Sequence, residues 1–82
     1  MDLSLYEAIV QTAKKMPNAQ ALYYQGKKIK YSTFVRRIDK MADILYNVLT
    51  IREGDMVMVA QPNIPDTLVL FYALNKIGAV VN

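Results

Sequence analysis

Two apolar runs flanking a helical pattern constrain the fold of this chain most strongly. Met56–Ala60 contains no polar residue and has the length of a strand, the pattern of a strand covered on both faces. Asn63 is placed to cap a following helix, Gly78 is placed to end it, and Ala79–Val81 begins another strand. A strand, a crossover helix and a strand predict a right-handed βαβ unit with parallel strands, and therefore an α/β fold.

The first segment carries the signature of a capped amphipathic helix. Ser4 is followed three residues later by Glu7, the spacing of a capping box. Apolar residues then recur at helical spacing, and Pro17 prevents continuation. We predict an amino-terminal helix over Leu5–Met16.

A hairpin and a second helix are predicted next. Gln20–Tyr24 and Lys28–Tyr31 are short apolar and aromatic segments, and the Gln25-Gly26-Lys27 segment between them supplies the glycine that a tight reversal needs. Ser32 is then placed to cap a helix with one apolar stripe. The stripe consists of Phe34, Val35, Ile38, Met41, Ala42, Leu45, Val48 and Leu49.

Composition excludes several classes of function. The 82 residues include no cysteine and no histidine, so a thiolate nucleophile, an imidazole base and a zinc site of the usual kind are excluded. No run approaches the ~18 apolar residues of a membrane span. The net charge is +3. The basic residues near position 28 alternate with apolar residues, as expected for the solvent-exposed face of a half-buried strand, so we expect no nucleic-acid partner. The absence of a secretory leader pattern predicts a cytoplasmic protein.

The third helix indicates that the chain is part of a larger α/β domain. Leu68–Leu74 contains no polar residue, so the helix is apolar on all sides and requires neighbours that 82 residues are not expected to supply. The two strands of the βαβ unit would also keep unpaired edges. We therefore expect a fragment that associates with itself when isolated.

Several segments together resemble a known family. Gly54–Val59, Pro62-Asn63 and Ala73–Asn82 look like the amino-terminal region of adenylate-forming (AMP-binding) acyl-CoA synthetases. Upstream, Ile29–Phe34 is similar to the early strand-to-helix segment of that family, and Ala21–Tyr23 matches its opening. The resemblance covers nearly the whole chain.

The resemblance implies an enzyme of several hundred residues that uses ATP and Mg²⁺ to convert a carboxylic acid to an acyl-adenylate, and then transfers the acyl group to coenzyme A. Residues 1–82 would be an amino-terminal fragment of its large domain, completed by the remainder of the same polypeptide. The motifs that hold ATP in the family do not occur here. Gly26-Lys27-Lys28 lacks the preceding glycine and the following Ser or Thr of a phosphate-binding loop. We therefore expect the fragment to be inactive, with no catalytic residue, cofactor or metal of its own.

Two residues are candidates for the border of a ligand cleft. Gln61 and Asn63 follow the first strand of the βαβ unit, and open α/β sheets bind ligands beyond the carboxyl ends of their strands. For Asn63, a helix cap is the simpler explanation.

Two alternatives stay open. The chain is a free-standing interaction module if it ends naturally after Asn82, with the apolar helix and the strand edges as its binding surface. Alternatively, the parent enzyme belongs to the same family but loads a carrier-protein thiol or oxidises a luciferin-like acid.

Overall fold

The computed structural model describes residues 4–57 and 64–81, in which three helices and two small sheets form a mixed α/β arrangement. This confirms the predicted fold class. The elements in chain order are α1 (Leu5–Lys15), β1 (Gln20–Tyr24), β2 (Lys27–Lys30), α2 (Tyr31–Asn47), β3 (Met56–Val57), α3 (Ile64–Ile77) and β4 (Val80–Val81).

Helix α1 begins where the sequence predicts. The Ser4 Oγ accepts a hydrogen bond from the Glu7 backbone N–H at 3.1 Å, which satisfies one of the free donors at a helix start. The Ser4 hydroxyl also lies 3.2 Å from the Glu7 carboxylate. The helix ends at Lys15, one residue before the predicted end, with Met16 as its C-cap.

The hairpin turn is one residue shorter than predicted. Strands β1 and β2 are antiparallel, with Tyr24 opposite Lys27, so only Gln25 and Gly26 form the turn. Their φ values are 51° and 79°, and two successive positive φ angles are typical of the type I′ turn that suits a twisted hairpin.

Helix α2 does not use the predicted Ser32 cap. The helix begins at Tyr31, and the preceding Lys30 makes no side-chain capping bond. Instead, the Tyr31 N–H donates to the Ala19 carbonyl and the Ser32 N–H donates to the Pro17 carbonyl, both at 3.0 Å. The loop after α1 thus satisfies the first donors of α2, so a side-chain cap is not required.

The core lies between α2 and α3. Its buried residues are Phe34, Ile38, Ala42 and Leu45 of α2 and Val69, Ala73 and Leu74 of α3. The Phe34 ring also meets the Tyr72 ring edge to face at a centroid distance of 5.7 Å. Val48 and Leu49, the last two members of the predicted stripe, lie past the end of α2 and are exposed.

Helix α3 has more neighbours than the sequence led us to expect. It packs against α1, α2, β1 and β4, and every residue of Leu68–Leu74 is buried or half-buried. The chain therefore supplies more cover for this helix than predicted, although Leu68, Leu70, Phe71 and Tyr72 are only half-buried. The hairpin and α1 fold back onto α3, which strand and helix patterns alone do not reveal.

The strands on either side of α3 pair in parallel, as predicted. Met56 is opposite Val80 and Val57 is opposite Val81. The handedness of the crossover stays a prediction, and the predicted part of the first strand at 58–60 lies outside the described residues. The prediction that the first strand is covered on both faces is wrong for its described part, because the Met56 side chain is 70% exposed.

Candidate functional site

The carboxyl edge of the parallel strands is where an open α/β sheet binds ligands. Chain direction places this edge just beyond Val57 and Val81. The two residues predicted to border a cleft, Gln61 and Asn63, follow β3 in the sequence but lie outside the described residues. Their role stays a prediction.

The opposite, amino-terminal edge is closed by backbone hydrogen bonds. The Gly54 N–H donates to the Gly78 carbonyl at 2.9 Å, and the Val80 N–H donates to the Asp55 carbonyl at 2.7 Å. Gly78 ends α3 with a φ of 91°, as the sequence predicts for a left-handed helix terminus. The Glu53 side chain lies directly against it, 3.0 Å from the position of a Cβ atom at residue 78.

A polar cluster, which we call the helix clasp, joins the three helices close to this amino-terminal edge. It consists of Tyr6 on α1, Asp39 on α2, and Asn75 and Lys76 on α3. The Tyr6 hydroxyl donates to Asp39 Oδ1 at 2.5 Å, and Lys76 Nζ donates to the same oxygen at 3.0 Å. The Tyr6 backbone N–H donates to Asn75 Oδ1 at 2.9 Å, so a side chain of α3 caps the first turn of α1.

The pKa values of Tyr6 and Lys76 are unsuited to base or nucleophilic catalysis at neutral pH. Burial and the hydrogen bond to Asp39 raise the pKa of the Tyr6 phenol. For Lys76, burial alone lowers the pKa, but the hydrogen bonds and charge interactions with Asp39 and Tyr6 outweigh it and raise the pKa. Both groups therefore keep their protons, whereas a base or an amine nucleophile has to lose one. The helix clasp holds helices together.

Alkaline pH is expected to loosen the helix clasp. Because the folded pKa values of Tyr6 and Lys76 are raised, their contribution to stability is fully present below the unfolded values of about 10 and is lost as pH rises through the folded values. The free energy of unfolding, measured by urea titration, should therefore fall only as pH rises above about 10. The double variant Tyr6→Phe, Lys76→Met should lose less over the same range, and an equal loss in both proteins would contradict the assignment.

A shallow cavity of about 340 Å³ adjoins the helix clasp. It is lined by Asp39, Ala42, Asp43, Tyr46, Asn47, Lys76 and Ile77. The Asn47 amide already donates to the Asp43 carboxylate at 2.6 Å, and the Lys76 ammonium is paired with Asp39. Within the described part of the chain, no group of three or more acidic side chains that could hold a metal ion is found.

A neighbouring interaction at the end of α2 is also structural. The Arg52 guanidinium lies 3.6 Å from the centroid of the Tyr46 ring and donates to the Tyr46 carbonyl at 2.6 Å. A cation at this position satisfies a free carbonyl of the last helical turn and interacts favourably with the helix dipole. Arg52 is thus fully engaged in ending α2.

Two apolar side chains on the parallel pair, those of Met56 and Val80, are exposed, and we call this surface the open sheet face. The two residues are opposite each other in the parallel pair, so their side chains point to the same side of the sheet. Their exposed fractions are 70% and 47%. Val57, the next residue of β3, instead packs against the core. Parallel sheets are normally covered on both faces, whereas this side of the pair is largely exposed among the described residues.

Sequence patterns missed the helix clasp because its members are far apart in the chain. Tyr6 and Asn75 are separated by 69 residues, and Asp39 and Lys76 by 37. The sequence accounts for Lys76 by its position in the last turn of α3, where cations are favoured. The only local sign of this cluster is Asp39 on the polar face of α2, and many helices carry a carboxylate on that face.

Comparison with protein families gives a match over most of the chain. The model of the family described as AMP-binding enzyme matches residues 9–82. Acetyl-coenzyme A synthetase 1 from Candida glabrata is 30% identical over 81 residues, covering 92% of this chain and 12% of that protein. The chain thus spans about an eighth of the length of the curated relatives that it matches.

Solved structures show the same fold. The NpsA N-terminal subdomain from Klebsiella oxytoca superposes with a TM-score of 0.89 at 26% identity, covering 95% of this chain and 20% of that one. A fatty acyl CoA synthetase from Mycobacterium tuberculosis gives a TM-score of 0.87 at 29% identity, covering 95% and 16%. In both, the counterpart of this chain is a small part of a longer polypeptide. None of the helices in the described ranges is long and apolar enough to cross a membrane.

Proposed function

Because the chain belongs to the AMP-binding enzyme family, we propose that residues 1–82 are the amino-terminal fragment of the large domain of an ATP-dependent acyl-CoA synthetase. The family match over residues 9–82 is the observation that carries this proposal. In the proposed reaction, the carboxylate attacks the α-phosphate of ATP, giving an acyl-adenylate and pyrophosphate. The thiol of coenzyme A then attacks the acyl carbonyl, and AMP leaves.

The chemistry is assigned to the remainder of the polypeptide. We propose that ATP, Mg²⁺ and coenzyme A bind there as well. In support, Lys76 is already paired with Asp39, and among the described residues no group of three or more acidic side chains suited to a metal ion is found. No reaction step is therefore assigned to a residue of this chain. Its role is to contribute the helix clasp, the core of α2 and α3, and the first parallel strands to the large domain.

The proposed border of the substrate cleft is at Gln61 and Asn63. Support comes from the direction of β3, whose carboxyl end precedes these residues, and from the general position of ligands in open α/β sheets. The helix clasp lies near the opposite edge, so it does not compete for this role. In the proposal the enzyme is cytoplasmic, where ATP and coenzyme A are available.

The test is to express the complete open reading frame that contains these residues, beside the 82-residue chain alone. The complete protein should catalyse ATP–pyrophosphate exchange that depends on a carboxylic acid, tested with short-chain, long-chain and aromatic acids. The chain alone should show no exchange with any of them. A reading frame that stops after Asn82 would contradict the proposal and favour the interaction module, and so would a complete protein without acid-dependent exchange.

The acceptor thiol is tested separately. With the acid that supports exchange, coenzyme A should yield a free acyl thioester, detected by mass spectrometry. Acyl transfer to a carrier-protein thiol with none to coenzyme A would overturn the choice of acceptor while preserving the adenylation step.

A further inference from the structure

We infer that the outer face of the β1–β2 hairpin, together with the adjoining end of α1, binds the surface of an anionic lipid bilayer. We call this surface the basic hairpin face, and it consists of Lys14, Lys15, Met16, Tyr23, Lys28 and Lys30. The inference does not depend on the proposed enzymatic activity, because it rests on the charge and exposure of these side chains.

Positive charge is concentrated in one part of the chain. Eight of the ten lysines and arginines lie in the span from Lys14 to Lys40, and this span contains one carboxylate, that of Asp39. Six of the seven acidic residues lie outside it. The net charge of +3 is therefore the sum of a strongly basic segment and an acidic remainder, and a basic segment attracts anionic surfaces.

Strand pairing places the hairpin lysines on one face. Lys28 is opposite Tyr23, and Lys30 is opposite Gln20. All four residues are exposed, whereas Ile29, between the two lysines, packs against the core. Because successive side chains of a strand point to opposite sides, the two lysines and the tyrosine share the outer side of the hairpin.

Backbone hydrogen bonds hold the end of α1 beside this face. The N–H of Tyr31, the residue after Lys30, donates to the Ala19 carbonyl at 3.0 Å. The Ala19 N–H in turn donates to the Met16 carbonyl at 3.1 Å. The two exposed lysines of the last α1 turn immediately precede Met16. Within the described part of the chain, none of the four lysines of the basic hairpin face forms a salt bridge.

Exposed apolar surface lies among these charges and favours a bilayer as the partner. Tyr23 is 60% exposed and Met16 is 52% exposed. Binding to an anionic bilayer combines the attraction of lysines to headgroups with the burial of neighbouring apolar groups. Tyrosine is suited to the interface, because its ring is apolar and its hydroxyl is polar. The face contains no arginine, the residue best suited to bidentate phosphate recognition in nucleic acids.

Cosedimentation with lipid vesicles tests the inference, with the 82-residue chain and with the complete reading frame that contains it. At an ionic strength of about 0.1 M, both proteins should bind vesicles that contain phosphatidylglycerol, and neither should bind pure phosphatidylcholine. The double variant Lys28→Gln, Lys30→Gln should weaken binding about 25-fold, since one lysine near an anionic surface contributes about fivefold.

The matched control for charge is Val48→Glu, Leu49→Glu, which changes the net charge equally at two exposed residues beyond the end of α2. Helix α2 begins directly after β2 and has 17 residues, so its far end lies about 25 Å from the hairpin. That distance exceeds the screening length of about 10 Å. The control should bind vesicles like the parent chain, and circular dichroism should show parental helical content in both double variants.

The apolar contribution is tested at two exposed methionines. Met16→Ala should weaken vesicle binding several-fold, whereas Met56→Ala on the open sheet face should leave it unchanged. Tyr23→Trp is a direct reporter, because the 82-residue chain contains no tryptophan. Its emission should shift to shorter wavelength when anionic vesicles are added, as the ring leaves water.

The inference is overturned if the complete protein does not bind anionic vesicles, or if the two charge variants weaken binding equally. Equal effects of Met16→Ala and Met56→Ala, or an unchanged emission of Tyr23→Trp, would also overturn it. Tighter binding to a DNA duplex or to polyglutamate than to the vesicles, at the same ionic strength, would assign the basic hairpin face to a different partner.

Discussion

Replacing Leu74 by alanine should remove a large part of the stability of this chain. Leu74 is completely inaccessible to solvent and lies at the contact of α3 with α2. Removing a buried leucine side chain costs roughly 2–5 kcal/mol, because apolar transfer energy is lost and a cavity remains. For an 82-residue domain the total free energy of unfolding is about 4–12 kcal/mol, so this loss is a large fraction of the total and should move the urea midpoint to a clearly lower concentration.

Urea titration followed by circular dichroism measures this effect, with Leu49→Ala as the matched control. Leu49 is 58% exposed and lies beyond the end of α2, so the same substitution there should change stability by less than about 0.5 kcal/mol. If Leu74→Ala does not fold at all, Leu74→Met keeps the side-chain volume and should cost below about 1.5 kcal/mol. Equal losses for Leu74→Ala and Leu49→Ala would show that α3 does not pack as described.

Features encoded by neighbouring residues were predictable from the sequence. The Ser4 cap depends on a residue three positions away, and Gly78 ends α3 because its own φ is positive. The pairing of the strands that flank α3 follows from chain direction, since a helix of this length returns the chain to the starting edge. In each case the physical cause lies within one turn, or within one strand–helix–strand unit.

Features set by distant segments were not predictable. The start of α2 is fixed by carbonyl groups of Pro17 and Ala19 rather than by Ser32. The cover of α3 depends on how α1 and the hairpin fold back, and the helix clasp joins residues at opposite ends of the chain. Periodicity reports which face of a helix is apolar, but it does not report which element will cover that face.

The candidate site shows the same division. The choice of Gln61 and Asn63 rests on a rule about the ends of parallel strands, and it stays a prediction because both residues lie outside the described ranges. The family was recognisable from short segments in a fixed order, and the match over residues 9–82 confirms it. In the proposal those segments are mainly scaffold, and the chemistry of the family is assigned to the remainder of the polypeptide.

Replacing Gly78 by alanine should destabilise the chain for two separable reasons. The φ of 91° at this position is unfavourable for any residue with a Cβ atom, at roughly 1–2 kcal/mol. In addition, the new Cβ would lie 3.0 Å from Glu53 Cγ, so the Glu53 side chain or its loop must move. That loop is held by the hydrogen bond from Gly54 to the Gly78 carbonyl, so movement would disturb the amino-terminal edge of β3 and β4.

Gly26→Ala separates the two causes, because Gly26 has a φ of 79° but no atom within 4 Å of a new Cβ. It should show the conformational cost alone, whereas Gly78→Ala should cost about 1 kcal/mol more, roughly 2–3 kcal/mol in total by urea titration. Adding Glu53→Ala to Gly78→Ala removes the Cγ atom and should recover that difference, which a double-mutant cycle measures directly. If the cycle gives no coupling between positions 53 and 78, the close approach of the loop to the end of α3 does not constrain the fold. Glycine would then be required at position 78 only because of its positive φ.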